Sequence, residues 1–145
     1  MKHIVVGYDS SDSARLAVVE AASVARATGA ELHLVNVVEE YDFPESKTTS
    51  EDQTHEEEAI IVNEKLLATP EAEGGLSESV DGVFTHNKVM AGPPAASIID
   101  YATEIGADLV VVGNRRVQGL NRLLGSVAVE ILRHAPCSVY VAHTV

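Results

Sequence analysis

The chain has 145 residues, a formal net charge of −12 and one cysteine, Cys137. That length suits a single domain spanning residues 1–145 with one hydrophobic core, and a lone cysteine excludes an intramolecular disulfide. So acidic a chain repels nucleic-acid backbones and anionic lipid, and no apolar run approaches a membrane span, so neither nucleic acid nor a membrane is an expected partner.

Aromatic residues make up only 4% of the chain. The core must therefore be Val, Ile, Leu and Ala, a composition suited to buried parallel strands under Ala-rich helices. Ile4 to Gly7 is a short apolar run that reads as a buried strand. With Met1 to His3 before it, the run is too short for a signal peptide, and a cytoplasmic location is expected. Tyr8 to Ser13 is a turn that contains a helix N-cap. Ala14, Ala17, Val18, Ala21, Ala25 and Thr28 then fall on one helical face, and Gly29 stops that helix. Glu31 to Val38 reads as the second strand. Glu39 to Thr54 is polar, acidic and holds Pro44, so it reads as a mobile loop. Glu56 to Leu67 has helical character. Val83 to Met90 is the third strand, and its mixed faces point to a sheet edge.

Ala91-Gly92-Pro93-Pro94 is a tight connection, with Pro94 suited to a first helical turn. Ile98, Ile99, Ala102 and Ile105 make the buried stripe of the next helix, capped by Gly106. Leu109-Val110-Val111-Val112 is the clearest strand. Ser126 to His134 reads as a helix with Ser126 as its cap, Pro136 ends it, and Ser138 to Ala142 is the last strand. Cys137 opens that last apolar run and reads as a buried structural thiol. Strands and helices alternate throughout. That pattern predicts an α/β domain, an open five-stranded parallel sheet in the order 3-2-1-4-5 with helices on both faces, of Rossmann-like type.

In such a sheet ligands bind at the carboxyl ends of the strands where the strand order reverses, here between the first and fourth strands. Those strands end at Gly7-Tyr8-Asp9 and at Val112-Gly113, and each glycine allows close approach to the backbone. The charge distribution points to the same place. Glu39 to Asp81 holds fourteen acids and two bases, whereas Leu109 to Val145 holds four arginines and one acid. Arg115, Arg116 and Arg122 fall between Gly113 and Gly125-Ser126-Val127, where a helix begins. Free N–H groups and the helix dipole favour a phosphate there. Asp9 has a second reading as a cap of the first helix. His55-Glu56-Glu57-Glu58-Ala59 lacks the second histidine of a zinc motif and reads as an acidic helix face. No catalytic constellation and no metal-ligand set is legible.

Asp9 after the first strand, Gly92-x-Pro94, Ala107 to Gly113, the loop from Gly113 to Gly125-Ser126-Val127, and Ala135-Pro136-Cys137-Ser138-Val139 occur in this order along the whole chain. Together they resemble the universal stress protein family. The resemblance implies a stress-response nucleotide-binding protein of ATP or AMP type, with Mg²⁺ beside the phosphates when ATP is held. It also implies a homodimer paired through the Ser138–Ala142 strand. Asp9 matches the acid at the adenosine end, and Val37 the position whose backbone meets the adenine. The candidate binding residues are Gly7, Asp9, Val37, Val112, Gly113, Arg115, Arg116, Gly125, Ser126 and Val127. Two other functions are compatible with the same fold: a nucleotide-independent dimeric signalling scaffold, and a slow ATPase.

The family's glycine-rich pattern G-x2-G-x9-G-(S/T) is altered in this chain. Gly113 and Gly125-Ser126 match its ends, but Arg116 stands at the second glycine and the spacer, Val117 to Leu124, is one residue shorter. Arginine adds donors for an anion, worth about 1–3 kcal/mol. It also adds bulk and disfavours positive φ, at about 1–2 kcal/mol. Steric exclusion is expected to win for ATP in the family pose, while a smaller anion still fits near Gly125 and Ser126. Arg116→Gly is then expected to raise ATP affinity in calorimetry, or to change nothing if the shorter spacer alone is disabling. Tight ATP binding by the parent that weakens in Arg116→Gly would instead make the arginine a phosphate ligand.

Overall fold

The computed structural model describes residues 1–9, 11–38, 76–114 and 124–143. Along these the chain runs β1 (His3–Gly7), α1 (Asp12–Thr28), β2 (Glu31–Val38), α2 (Leu76–Ser79), β3 (Thr85–Ala91), α3 (Pro94–Ile105), β4 (Leu109–Gly113), α4 (Ser126–His134) and β5 (Ser138–Ala142). The expected loop at Glu39–Thr54, the expected helix at Glu56–Leu67, and Ser10, Arg115, Arg116 and Arg122 lie outside the described residues.

The strands form one five-stranded sheet in the order β3-β2-β1-β4-β5, and every neighbouring pair is parallel. This is the expected α/β architecture. Alternation along each strand divides the core in two. Ile4 and Val6 of β1, Leu32 and Leu34 of β2, and Leu109 and Val111 of β4 turn to the α1 face. Val5, Val35, Val110 and Val112 turn to the face covered by α3 and α4. The central strands are apolar on both sides because both sides are covered.

The start of α1 is set by Ser11, whose side chain accepts a hydrogen bond from the Ala14 N–H at 3.2 Å. Its end is set by Gly29 in the left-handed region. Its buried residues are Ala14, Ala17, Val18, Ala21, Ala22 and Ala25. Small side chains let the helix lie close on the sheet. The expected stripe is corrected at its far end: Thr28 is exposed, and its hydroxyl donates back to the Val24 carbonyl at 2.8 Å. Ala22 takes its place in the core.

β3 begins two residues later than the hydropathy pattern indicates. Val83 is held in a turn, its N–H donating to the Val80 carbonyl at 3.0 Å, and Gly82 has φ 74°. Arg26, in the last turn of α1, secures this turn from outside by donating to the Ser79 carbonyl at 2.6 Å and the Asp81 carbonyl at 3.1 Å. β3 is an edge strand, as its mixed faces imply. In α3, Pro94 occupies the first turn and Gly106 the left-handed C-cap. Ile98 and Ala102 are buried, while Ile99 and Ile105 are only half-buried against the same core.

Candidate functional site

The strand pairings part at the carboxyl edge of the sheet, where a parallel sheet of this order leaves a crevice. β1 and β4 are paired only as far as Val6 and Val111. Beyond that, Gly7 is paired with Val35 of β2, and Gly113 with Ala142 of β5. Tyr8 continues the turn toward β2, its N–H donating to the Val35 carbonyl at 2.9 Å. Asn114 continues toward β5, its N–H donating to the Ala142 carbonyl at 3.1 Å. The sheet thus divides between β1 and β4, where the strand order reverses.

The two glycines at this division are needed for internal packing. A methyl group at Gly113 would stand 2.4 Å from the Ser13 carbonyl oxygen and 3.1 Å from the Ala14 nitrogen. The group that comes close to β4 here is the first turn of α1. A methyl group at Gly7 would meet only the Cδ1 end of Ile98, at 2.9 Å. The expectation that these glycines leave space for a ligand is met by an occupied space on both sides.

Asp9 is exposed at the crevice and does not cap α1. Its Oδ1 accepts from the Ser11 N–H at 3.0 Å, an Asx turn that carries the chain from β1 into the helix. Ser126 is not a cap either. Gly125 is the N-cap of α4, with extended backbone and no side-chain hydrogen bond, and Ser126 is the exposed first residue of the helix. The difference has a chemical consequence: among the described residues no side chain caps the first N–H groups of α4. Because α4 follows β4 in a parallel crossover, its N-terminus lies at the same edge as Gly113. Val127 is half-buried. Val112 is buried in the core, so only its backbone faces the crevice. Val37, near the end of β2, is paired with Met90 and packs against the same core. Gly7, Asp9, Val37, Val112, Gly113 and Gly125 to Val127 therefore share one edge of the sheet. Arg115 and Arg116 are outside the described residues.

A second polar cluster, not legible in the sequence, occupies the opposite edge. His3 is paired with Glu31, Val5 with His33, and His33 with His86. All of these side chains share the sheet face covered by α3. His33 is only 5% exposed, and its Nδ1 is 2.9 Å from the Tyr101 hydroxyl of α3. Burial, reinforced by the imidazoles of His86 and His3, pushes its pKa from 6.5 down to about 4. His86 donates from Nε2 to Glu31 at 3.0 Å, and that bond is the main cause holding the Glu31 carboxyl below its ordinary range. The signal available in sequence was three histidines near the starts of three strands, which becomes a cluster only once register is known.

Comparison with known proteins finds the profile of the universal stress protein family matching residues 1–143. A Staphylococcus epidermidis protein assigned to that family is 32% identical over 150 residues, covering 99% of this chain and 84% of its own. The universal stress protein A homolog 1 of Coxiella burnetii is 31% identical, covering 95% of this chain and 93% of its own. A universal stress protein solved in complex with cAMP superposes with a TM-score of 0.69 at 25% identity, covering 99% of this chain and 98% of that one.

The contact at Gly113 gives a test of how the crevice is built. Gly113→Ala forces a methyl group against backbone and is expected to cost about 1–3 kcal/mol in urea unfolding. Gly7→Ala meets a side-chain end that can turn aside, and should cost less. Equal losses for the two variants would show that the Ser13 backbone gives way freely.

Proposed function

Because the chain belongs to the universal stress protein family, we propose that it is a stress-response regulator that holds an adenine nucleotide between the ends of β1 and β4. The observation that carries this reading is the division of the sheet at Gly7 and Gly113, with the N-terminus of α4 at the same edge. The relative solved with cAMP supports the ligand class. In this reading the first N–H groups of α4, at Ser126 and Val127, receive a phosphate. Asp9 and the backbone at Val37 face the nucleoside. Arg116 disfavours the triphosphate pose with Mg²⁺, so AMP or a cyclic monophosphate is the better ligand.

A nucleotide-independent scaffold is favoured by one observation. Gly113 is required by the packing of α1, so its presence alone does not call for a ligand. Heat release and mass spectrometry of the purified protein, followed by calorimetry with AMP, cAMP and ATP, separate the two. A bound adenine nucleotide, with affinity lost in Gly125→Asp, is the expected result. A clean protein that gives no heat with any of the three would leave the scaffold reading.

The same reading takes the chain as a homodimer joined along β5. β5 ends the sheet order, so one side of its hydrogen-bonding ladder has no partner strand among the described residues. Tyr140 is 40% exposed there, and its hydroxyl donates to Glu20 of α1 at 3.2 Å. Leu16 and Val19 on α1 are also exposed. Val139 and Val141 pack inward, so Tyr140→Asp is the cleaner probe. It is expected to convert a dimer to a monomer in light scattering. A parent protein that is monomeric at micromolar concentration would overturn the interface.

A further inference from the structure

The cluster at the amino edge of the sheet has the donors and spacing of a metal site. His3 Nδ1 lies 3.2 Å from His33 Nε2 and 3.7 Å from the nearer Glu31 oxygen. The three ligand atoms all lie within 4.8 Å of one another. A tetrahedral zinc ion with bonds of about 2.0–2.2 Å sets its donors about 3.3–3.6 Å apart. Two of the separations bracket that value, so small side-chain rotations would bring the donors into place.

The surroundings also suit a metal. A ligating histidine usually donates its second ring N–H to a fixed partner, which sets the tautomer. The Tyr101 hydroxyl stands in that position for His33 Nδ1, at 2.9 Å. With Nδ1 protonated, the Nε2 lone pair points toward His3 and Glu31. The His86 ring stacks on the His33 ring, with centroids 4.5 Å apart and planes 15° from parallel. His86 also holds the Glu31 carboxylate at 3.0 Å. Two ligands thus have an outer partner, and His33 is buried. His3 and Glu31 are partly exposed, with side-chain exposures of 32% and 42%, which leaves a path for entry and room for water as a fourth ligand.

The geometry points to a binding site for one divalent cation of the zinc class, formed by His3 Nδ1, His33 Nε2 and the Glu31 carboxylate. Two imidazoles and one carboxylate select zinc or cobalt over magnesium or calcium, which prefer oxygen donors. The site ties the start of β1 to the start of β2, at the edge opposite the nucleotide crevice, so its occupancy can be tested without nucleotide.

The test uses the full chain, stripped with chelator and titrated with Zn²⁺ in calorimetry and with Co²⁺ in visible absorption. One ion per chain, a higher unfolding temperature with Zn²⁺ and a tetrahedral Co²⁺ spectrum are expected. His33 is buried and its replacement can unfold the protein, so the variants are His3→Gln and Glu31→Gln, both at partly exposed positions. Each should weaken Zn²⁺ by about tenfold or more while keeping the circular dichroism of the parent and lowering the metal-free unfolding temperature only modestly, since His3 bonds His33 and Glu31 bonds His86. Absence of binding by the parent would overturn the site. So would unchanged affinity in both variants, which would place the ion elsewhere, for example on His55 and its neighbouring acids.

Discussion

The missing side chain at Gly113 governs how the first helix meets the sheet. The Ser13 carbonyl and Ala14 nitrogen fill the volume that a methyl group would need, and that contact seats the first turn of α1 against the end of β4. Alanines at positions 14, 17, 21, 22 and 25 continue the close approach along the helix. A parallel sheet has to be covered on both faces, and here one face is covered by a helix with almost no side-chain bulk. The wall of the crevice on that side is therefore backbone. Its shape depends on Gly113 and on the Asx turn at Asp9, which aims the chain from β1 into α1.

The two edges of the sheet carry different chemistry because the chain treats them differently. At the carboxyl edge β1 and β4 part, and beside the Asp9 carboxylate the polar groups there are main-chain N–H groups and the start of α4. These are fixed partial charges suited to an anion. At the amino edge the groups are imidazoles and carboxylates, whose lone pairs suit a cation. His33 is tolerated within the α3-side core because its two ring nitrogens face Tyr101 and His3. An unpaired polar group at that depth would be costly.

Much of the fold could be read directly. β2, α4 and β5 begin and end where hydropathy, glycine and proline place them, because each is a compact apolar run between strong breakers. The carboxyl edge could be singled out as the candidate binding region because parallel topology and the glycine-rich stretch both point to it. Other features needed three-dimensional register. Ser126 looks like a cap by residue type, yet it is the first helical residue and Gly125 caps it. Glycine at position 113 is as consistent with ligand approach as with helix approach until the helix is seen. His3, His33 and His86 are separated by tens of residues, and no local pattern joins them. Only the pairings of β1 with β2 and of β2 with β3 bring them to one face.

The amino edge is also held more tightly than strand pairing alone requires. The Asp108 carboxylate accepts from the Lys2 and His3 N–H groups at 2.6 and 3.0 Å, and these bonds hold its carboxyl below the ordinary range. The Asp108 N–H donates back to the His3 carbonyl at 2.9 Å, and the Glu31 N–H donates to the Lys2 carbonyl at 2.8 Å. The start of β1 is thus fixed from β4 on one side and from β2 on the other. The backbone that carries His3 is held on both sides, a condition that helps a few donors act as a preorganised ligand set. Asp108 acts on His3 mainly through the backbone N–H, with the charge interaction with the His3 imidazole the smallest of the causes acting on its carboxyl. Its contribution is to hold the strand that carries this ring, so a polar residue just before β4 helps position the donor atoms on the far side of β1.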